Sequence, residues 1–316
     1  MPIQDVVAEA KSTGPLDLRW RTWRDALWRT VLQFWNDKLT DWAAALTYYG
    51  VLSLFPGIIV LTAMLGLLSP AATQSLIAAI QDVGFGSETG VVVDSIKELQ
   101  ASRSIAGPVA ILGLLVALWT ASGYVGAFIR AANSIYEVGE GRPMWKTIPL
   151  RIGLTLGIVL LVTLCAFGIV TTGSLADHLG QWLGIGEAGI IAWEVLKWPV
   201  LALVIGLVIA LLYWVAPNAE QPGFRWLTPG SALAVLLWIA ASAGFAFYAA
   251  NFGSFNKVYG SLGGAVVFLI WLWLTNLAVL LGAAFDAELL RGRGIEQGHS
   301  PDKTPFLPLR DDPTDY

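Results

Sequence analysis

Charge, cysteine and histidine are scarce in this sequence, and each shortage excludes a class of protein. Charged residues fill 13% of the 316 positions, about half of what a soluble globular domain carries. The one cysteine, Cys165, rules out a disulfide within the chain. It sits in an apolar run, while His178 and His299 belong to segments on opposite sides of the membrane, so no zinc set can be assembled from the three. A GxxxxGKS/T phosphate loop and a GxSxG nucleophile elbow are absent as well, which argues against P-loop ATP hydrolysis and elbow-type acyl chemistry. Asp37, Asp41 and Glu140 are scattered acids, not the converging carboxylates that metal-dependent nuclease chemistry needs. Asp37 and Glu140 are expected to be dispensable. The expectation is therefore a non-enzyme with no cofactor and no metal.

What the chain has in abundance is hydrophobic sequence, 56% of all residues. Six apolar runs, at 43–68, 107–129, 152–173, 196–216, 230–250 and 262–285, are each long enough to cross a bilayer. A spanning helix needs about 20 mostly apolar residues, since the hydrocarbon core is about 30 Å thick and a helix rises about 1.5 Å per residue. Residues 107–129 contain no charge at all. The expected fold is an all-α membrane protein of six transmembrane helices.

Basic residues give the orientation. Fifteen lie on one side: Lys11 to Lys38 in the N-terminal segment, Arg130 to Arg151 in the second loop, Arg225, and Arg291 to Arg310 in the tail. The other side has four: Lys97, Arg103, Lys197 and Lys257. Positive residues resist translocation, so the N- and C-termini are expected in the cytoplasm. This basic face gives no independent support for nucleic-acid binding, because any multispan protein has one. Membrane lipids are the expected partners, and self-association stays open.

Four segments follow. Residues 1–18 read as a flexible N-terminus. Residues 19–42 read as an interfacial amphipathic helix, with Trp20, Trp23, Leu27, Val31 and Phe34 at helical spacing and Arg29, Gln33, Asn36 and Asp37 away from that stripe. Residues 43–290 form the six-span domain. Residues 291–316, rich in Pro, Gly and charge, read as a disordered cytoplasmic tail. The longest outer loop, 69–106, is expected to hold two short amphipathic helices around Leu76 and Val92.

Inside the spans, Gly153 with Gly157 and Gly260 with Gly264 have the small-xxx-small spacing that lets helices approach closely. Pro56 is the expected hinge, because proline removes a backbone donor in mid-span. Asn276 and Asp286 are the costliest polar groups at depth, and for Asn276 a hydrogen bond between helices is the expected explanation. Asp286 lies near the cytoplasmic end and is expected to reach water.

The ordered set ALTYYGVLSLFP (Ala45 to Pro56), Trp119 to Tyr136, Pro217-Asn218, Pro229-Gly230, Tyr259-Gly260-Ser261-Leu262-Gly263 and Leu281-Gly282-Ala283 resembles the YihY/BrkB family of bacterial inner-membrane proteins. The resemblance implies six spans and an inner (plasma) membrane location. It links the chain to proteins of virulence and serum resistance and to an old ribonuclease label. One departure is Ala284, where members commonly carry an acid.

Tyr48, Tyr49, Ser122, Arg130, Asn133 and Tyr259 match that pattern and are expected to line a central cavity. The leading expectation is a protein that transports or handles a lipid or another amphipathic envelope component. The alternative is an envelope scaffold without transport. The topology is tested by single cysteines in a Cys165→Ala background. Cysteines at Ser87 or Gly184 should react with an impermeant reagent in intact cells, and labelling of the tail there would break the six-span scheme.

Overall fold

The computed structural model of the chain describes residues 18–36, 39–68, 107–170, 187–221, 223, 228–251, 262–302 and 304–312. Seven helices occur among them: α1 (Trp20–Asn36), α2 (Leu39–Leu68), α3 (Gly107–Ile135), α4 (Met144–Val170), α5 (Glu187–Val215), α6 (Pro229–Asn251) and α7 (Leu262–Glu296). Extended backbone is limited, among the described residues, to one isolated bridge between Ala219 and Leu309. The fold is all-helical there, and α2 to α7 coincide with the six apolar runs. Met144–Cys165, Val195–Val215, Pro229–Tyr248 and Gly264–Glu296 are long and apolar enough to cross a membrane over their described residues. Residues 1–17, Tyr259 and the loop around Leu76 and Val92 lie outside the described residues. Pro56 falls within α2, with its side-chain surroundings outside them.

Helix α7 is the hub, packed against α1, α2, α3 and α6. Its seam with α6 is the tightest, because Gly230 and Gly282 meet backbone to backbone. A Cβ on either would collide with the other's carbonyl. The start of α6 explains the geometry. Thr228 caps the helix by accepting from the Ser231 N–H at 3.0 Å, while the Ser231 hydroxyl accepts from the Thr228 N–H at 2.9 Å. Pro229 needs no acceptor at the first position, and the Gly230 N–H donates to Asp286 Oδ1 at 2.7 Å. Asp286 is thus buried as a cap borrowed from α7 and does not reach water as expected. A carboxylate at a helix N-terminus satisfies orphan donors and complements the dipole. Ala284, two residues earlier, is fully buried.

The expected glycine pairs behave differently. A Cβ on Gly153, Gly157 or Gly264 would meet nothing within 4 Å, so close approach is made at Gly230 and Gly282 instead. Spacing alone does not say which face of a helix is occupied.

Helix α1 ends at Asn36, and Trp42 belongs to α2, so the expected 19–42 unit is divided. Its faces also differ from the expected stripe. Arg29 and Gln33 turn inward: Arg29 Nε donates to Glu288 Oε2 at 2.6 Å and Gln33 Nε2 donates to the Ile135 carbonyl at 3.1 Å. Trp23 and Phe34 pack inward too, whereas Trp20, Leu27 and Val31 join Trp28 and Trp35 on the exposed face. The helix grips the bundle with polar groups and presents tryptophan outward. The expected stripe is thus split between the two faces of the helix.

The tail reading also changes. Helix α7 runs on to Glu296, and residues 304–312 fold back with Phe306 and Leu307 buried. The Glu220 N–H donates to the Pro308 carbonyl, and Lys146 pairs with Asp311. Composition suggested disorder, but two buried apolar residues and a backbone partner at 219–220 hold these residues in place.

The seam generates a stability prediction. Gly282→Val should lower the stability of the purified protein on the order of 3 kcal/mol, the upper range of overpacking costs. Gly153→Ala, with open space beside it, should leave the melting temperature unchanged or slightly higher. Thermal unfolding in detergent reads both, and equal effects would remove the special status of the seam.

Candidate functional site

Two polar clusters stand out, one on the flank of the bundle and one at its end. The flank cluster is built on one stripe of α3. Trp119, Ser122, Gly123, Gly126 and Arg130 recur at helical spacing, facing α2 and α4. From α2, Tyr49 lies beside Gly123, its Cδ1 3.6 Å from where a Cβ would be, and beneath Arg130, whose guanidinium carbon is 5.6 Å from the ring centre. From α4, Arg151 crosses Gly126 closely, with Nε 3.0 Å from the position of a Cβ. Arg151 donates to Ser122 Oγ at 2.9 Å and stacks over Trp119 at 5.6 Å. The Ser122 hydroxyl in turn donates to the Trp119 carbonyl at 2.6 Å. Among the described residues neither Arg130 nor Arg151 meets a carboxylate.

The end cluster is the opposite: both of its arginines, Arg142 and Arg291, meet carboxylates. Asn133 Oδ1 accepts from the Asn218 N–H at 2.7 Å, and its Nδ2 donates to Glu140 Oε2 at 2.8 Å. Arg142 grips the same Glu140 with both edges of its fork, at 2.6 and 2.9 Å, and donates to the Ala216 carbonyl at 2.8 Å. Asn218 Nδ2 donates to the carbonyls of Gly139 and Asp311, and Asn218 Oδ1 accepts from the Asp311 N–H. Nearby, Arg291 bridges Glu137 and Glu288 and covers the Phe306 ring, which stacks with Tyr136. Burial pushes the Tyr136 phenol well above its ordinary value, and the Asp286 carboxylate adds to the effect. It stays protonated.

The sequence-derived set is therefore divided. Tyr49, Ser122 and Arg130 come together on the flank. Tyr48 is 62% exposed and points outward, packed edge-on to Tyr49. Asn133 belongs to the end cluster, one turn beyond Arg130. Glu140, expected to be dispensable, is the bridge between Asn133 and Arg142, so its removal would strand a buried guanidinium. Deeper in the bundle, Asn276 accepts from the Tyr124 hydroxyl at 2.7 Å and donates to Thr47 at 3.1 Å, an interhelical bond as expected.

Sequence reading missed Arg151, counted only as one more loop cation. The signal was its place at the edge of an apolar run, where a guanidinium must find a partner on a neighbouring helix. Among the described residues no group of three or more His, Cys, Asp or Glu is placed to hold a metal ion. The acids near the end cluster are engaged with arginines or, for Asp286, with a backbone donor.

Comparison with known proteins accords with this architecture. The family profile described as Virulence factor BrkB matches residues 30–306. A UPF0761 membrane protein of Tolumonas auensis is 30% identical over 292 residues, covering 87% of this chain and 90% of that one. A Bacillus subtilis protein bearing the name ribonuclease-like protein YfkH is 28% identical, over 84% of this chain and 93% of its own length. A UPF0761 membrane protein of Xanthomonas campestris pv. campestris is 28% identical, over 83% of this chain and 59% of that one. No solved structure matches. The chain, a membrane protein that is helical over its described residues, belongs to the Virulence factor BrkB family.

Proposed function

We propose that this chain is a six-span protein of the bacterial inner membrane, with its N- and C-terminal segments in the cytoplasm, that transports or handles a lipid or another amphipathic envelope component. The flank cluster carries the reading. Tyr49, Trp119, Arg130 and Arg151 place cationic and aromatic groups at the border of an apolar surface where Leu52, Leu115 and Val116 are exposed. Arginine and tryptophan favour the headgroup layer, and an amphiphile offers the same two surfaces in the same order. Its head needs a modest polar foothold, while its chains stay in the bilayer. The outward tryptophans of α1, Trp28 and Trp35, are consistent with a helix resting on that layer.

A scaffold without transport is favoured by a different observation, the end cluster, in which every polar side chain is tied to another segment. The two readings separate in reconstituted vesicles. Protein-containing vesicles should move at least one labelled lipid class between leaflets faster than empty ones, and no movement of any class would leave the scaffold.

The name of the Bacillus subtilis relative prompts a second test. Purified protein free of contaminating nuclease should leave RNA intact with or without divalent metal. Metal-dependent cleavage that copurifies with the protein and vanishes in Asp37→Ala would overturn the non-enzymatic reading.

A further inference from the structure

Arg130 and Arg151 differ from the arginines at the end of the bundle that are held by acids. Arg142 and Arg291 each meet a carboxylate, and Arg29 meets Glu288. The flank pair comes from two different helices to one stripe of α3, Arg151 crossing it at Gly126 and Arg130 standing one turn further on, and no described carboxylate offsets them. Their binding capacity is also unspent. A guanidinium has five N–H donors. Arg151 uses one on Ser122, and its buried Nε has no partner. Arg130 is exposed and lies over the face of Tyr49, with no hydrogen bond or ion pair among the described residues. Two like charges held together beside open donors are stabilised by an anion that bridges them. Planar guanidinium forks match phosphate oxygens better than any other common anion-binding side chain.

We infer that Arg130 and Arg151 together bind an anionic phosphate group, carried at the head of a lipid whose chains lie along the exposed flank of α2 and α3. The apolar half of that statement rests on Leu115 and Val116. They sit one turn from Trp119 and are more than half exposed. Gly126 leaves room for Arg151, since a Cβ there would press on the guanidinium at 3.0 Å and make it shift by a few tenths of an ångström. Ser122 and Trp119 hold Arg151 in position, and Tyr49 does the same for Arg130. The inference rests on the reading of this protein as a handler of amphiphiles and names the headgroup that such a handler would select.

The test uses the full chain in detergent, titrated by calorimetry with short-chain phosphatidic acid, with phosphatidylcholine of the same chains, and with inorganic phosphate. Phosphatidic acid should bind more tightly than phosphatidylcholine, whose phosphate is already paired with choline. Arg130→Gln should weaken it roughly tenfold, the value of one charge-assisted contact. The double variant with Arg151→Gln should lose the preference. Arg130 is exposed, so Arg130→Gln should keep the parental melting temperature, and its result stands even where Arg151→Gln fails to fold.

No preference in the parent protein, or a preference that survives both substitutions, overturns the inference. Inorganic phosphate binding as tightly as phosphatidic acid overturns its lipid half and leaves the paired arginines as a site for a soluble phosphate. Headgroup binding without lipid movement in vesicles supports the inference against the transport reading. Movement blind to headgroup charge does the reverse.

Discussion

The last carbonyls of a helix have no partner within that helix, and at the rim of a bilayer water cannot be relied on to supply one. That constraint organises the end of this bundle. The carbonyls at the end of α5 are met by Arg142 and Arg310, which reach Val215, Ala216 and Trp214 from two other segments. Arg142 can be buried only because Glu140 neutralises it, and Glu140 is fixed in turn by Asn133 on α3. The start of α6 is solved in the same way, with Asp286 of α7 taking the Gly230 donor. Side chains from α3, α7, the connections and the tail thus complete backbone pairing that α5 and α6 cannot complete alone.

With the helix ends fixed, the flank follows. The Asn133 contact sets the end of α3, and the stripe from Trp119 to Arg130 then faces α2 and α4 in a set register. Gly123 and Gly126 thin the stripe where Tyr49 and Arg151 cross it. The result is a contrast within one bundle. Cations at the end are matched by acids and carbonyls, while the pair on the flank is left with capacity to spare. Electrostatic groups that serve folding are satisfied internally, and those free to meet something else are the ones that are not.

Much of this was legible in the sequence, because apolar length and period are strong signals. The positions of α2 to α7 and the interhelical role of Asn276 could be read directly. The sharing of one end by the N-terminal helix, the Ile135–Met144 and Val215–Pro229 connections and the tail echoes the count of basic residues. The faces of helices could not be read. The stripe of α1 was read as the single face of an interfacial helix, yet Trp23 and Phe34 turn to the bundle while Trp20, Leu27 and Val31 turn away. The polar residues Arg29 and Gln33 grip the bundle. Gly153 and Gly157 have the spacing of a contact and make none, whereas Gly230 and Gly282, far apart in sequence, make the closest one. Pairings such as Asn133 with Asn218, or Gly230 with Asp286, join residues whose separation leaves no local trace. The tail was misjudged because composition averages over residues, and Phe306 and Leu307 alone are enough to anchor it.

The clasp made by Asp311 has a consequence for biosynthesis. Asn218 obtains its side-chain partners from Gly139, which is made before it, and from Asp311, which follows every helix in chain order. While the helices leave the insertion machinery one after another, the Asn218 amide waits for a partner that the ribosome has yet to produce. Closure of this end is therefore a late step, made after α7 has been inserted. A chain that stops short of Arg310 would carry all of its helices and still present unpaired polar groups at the membrane surface, the kind of defect that quality-control proteases recognise.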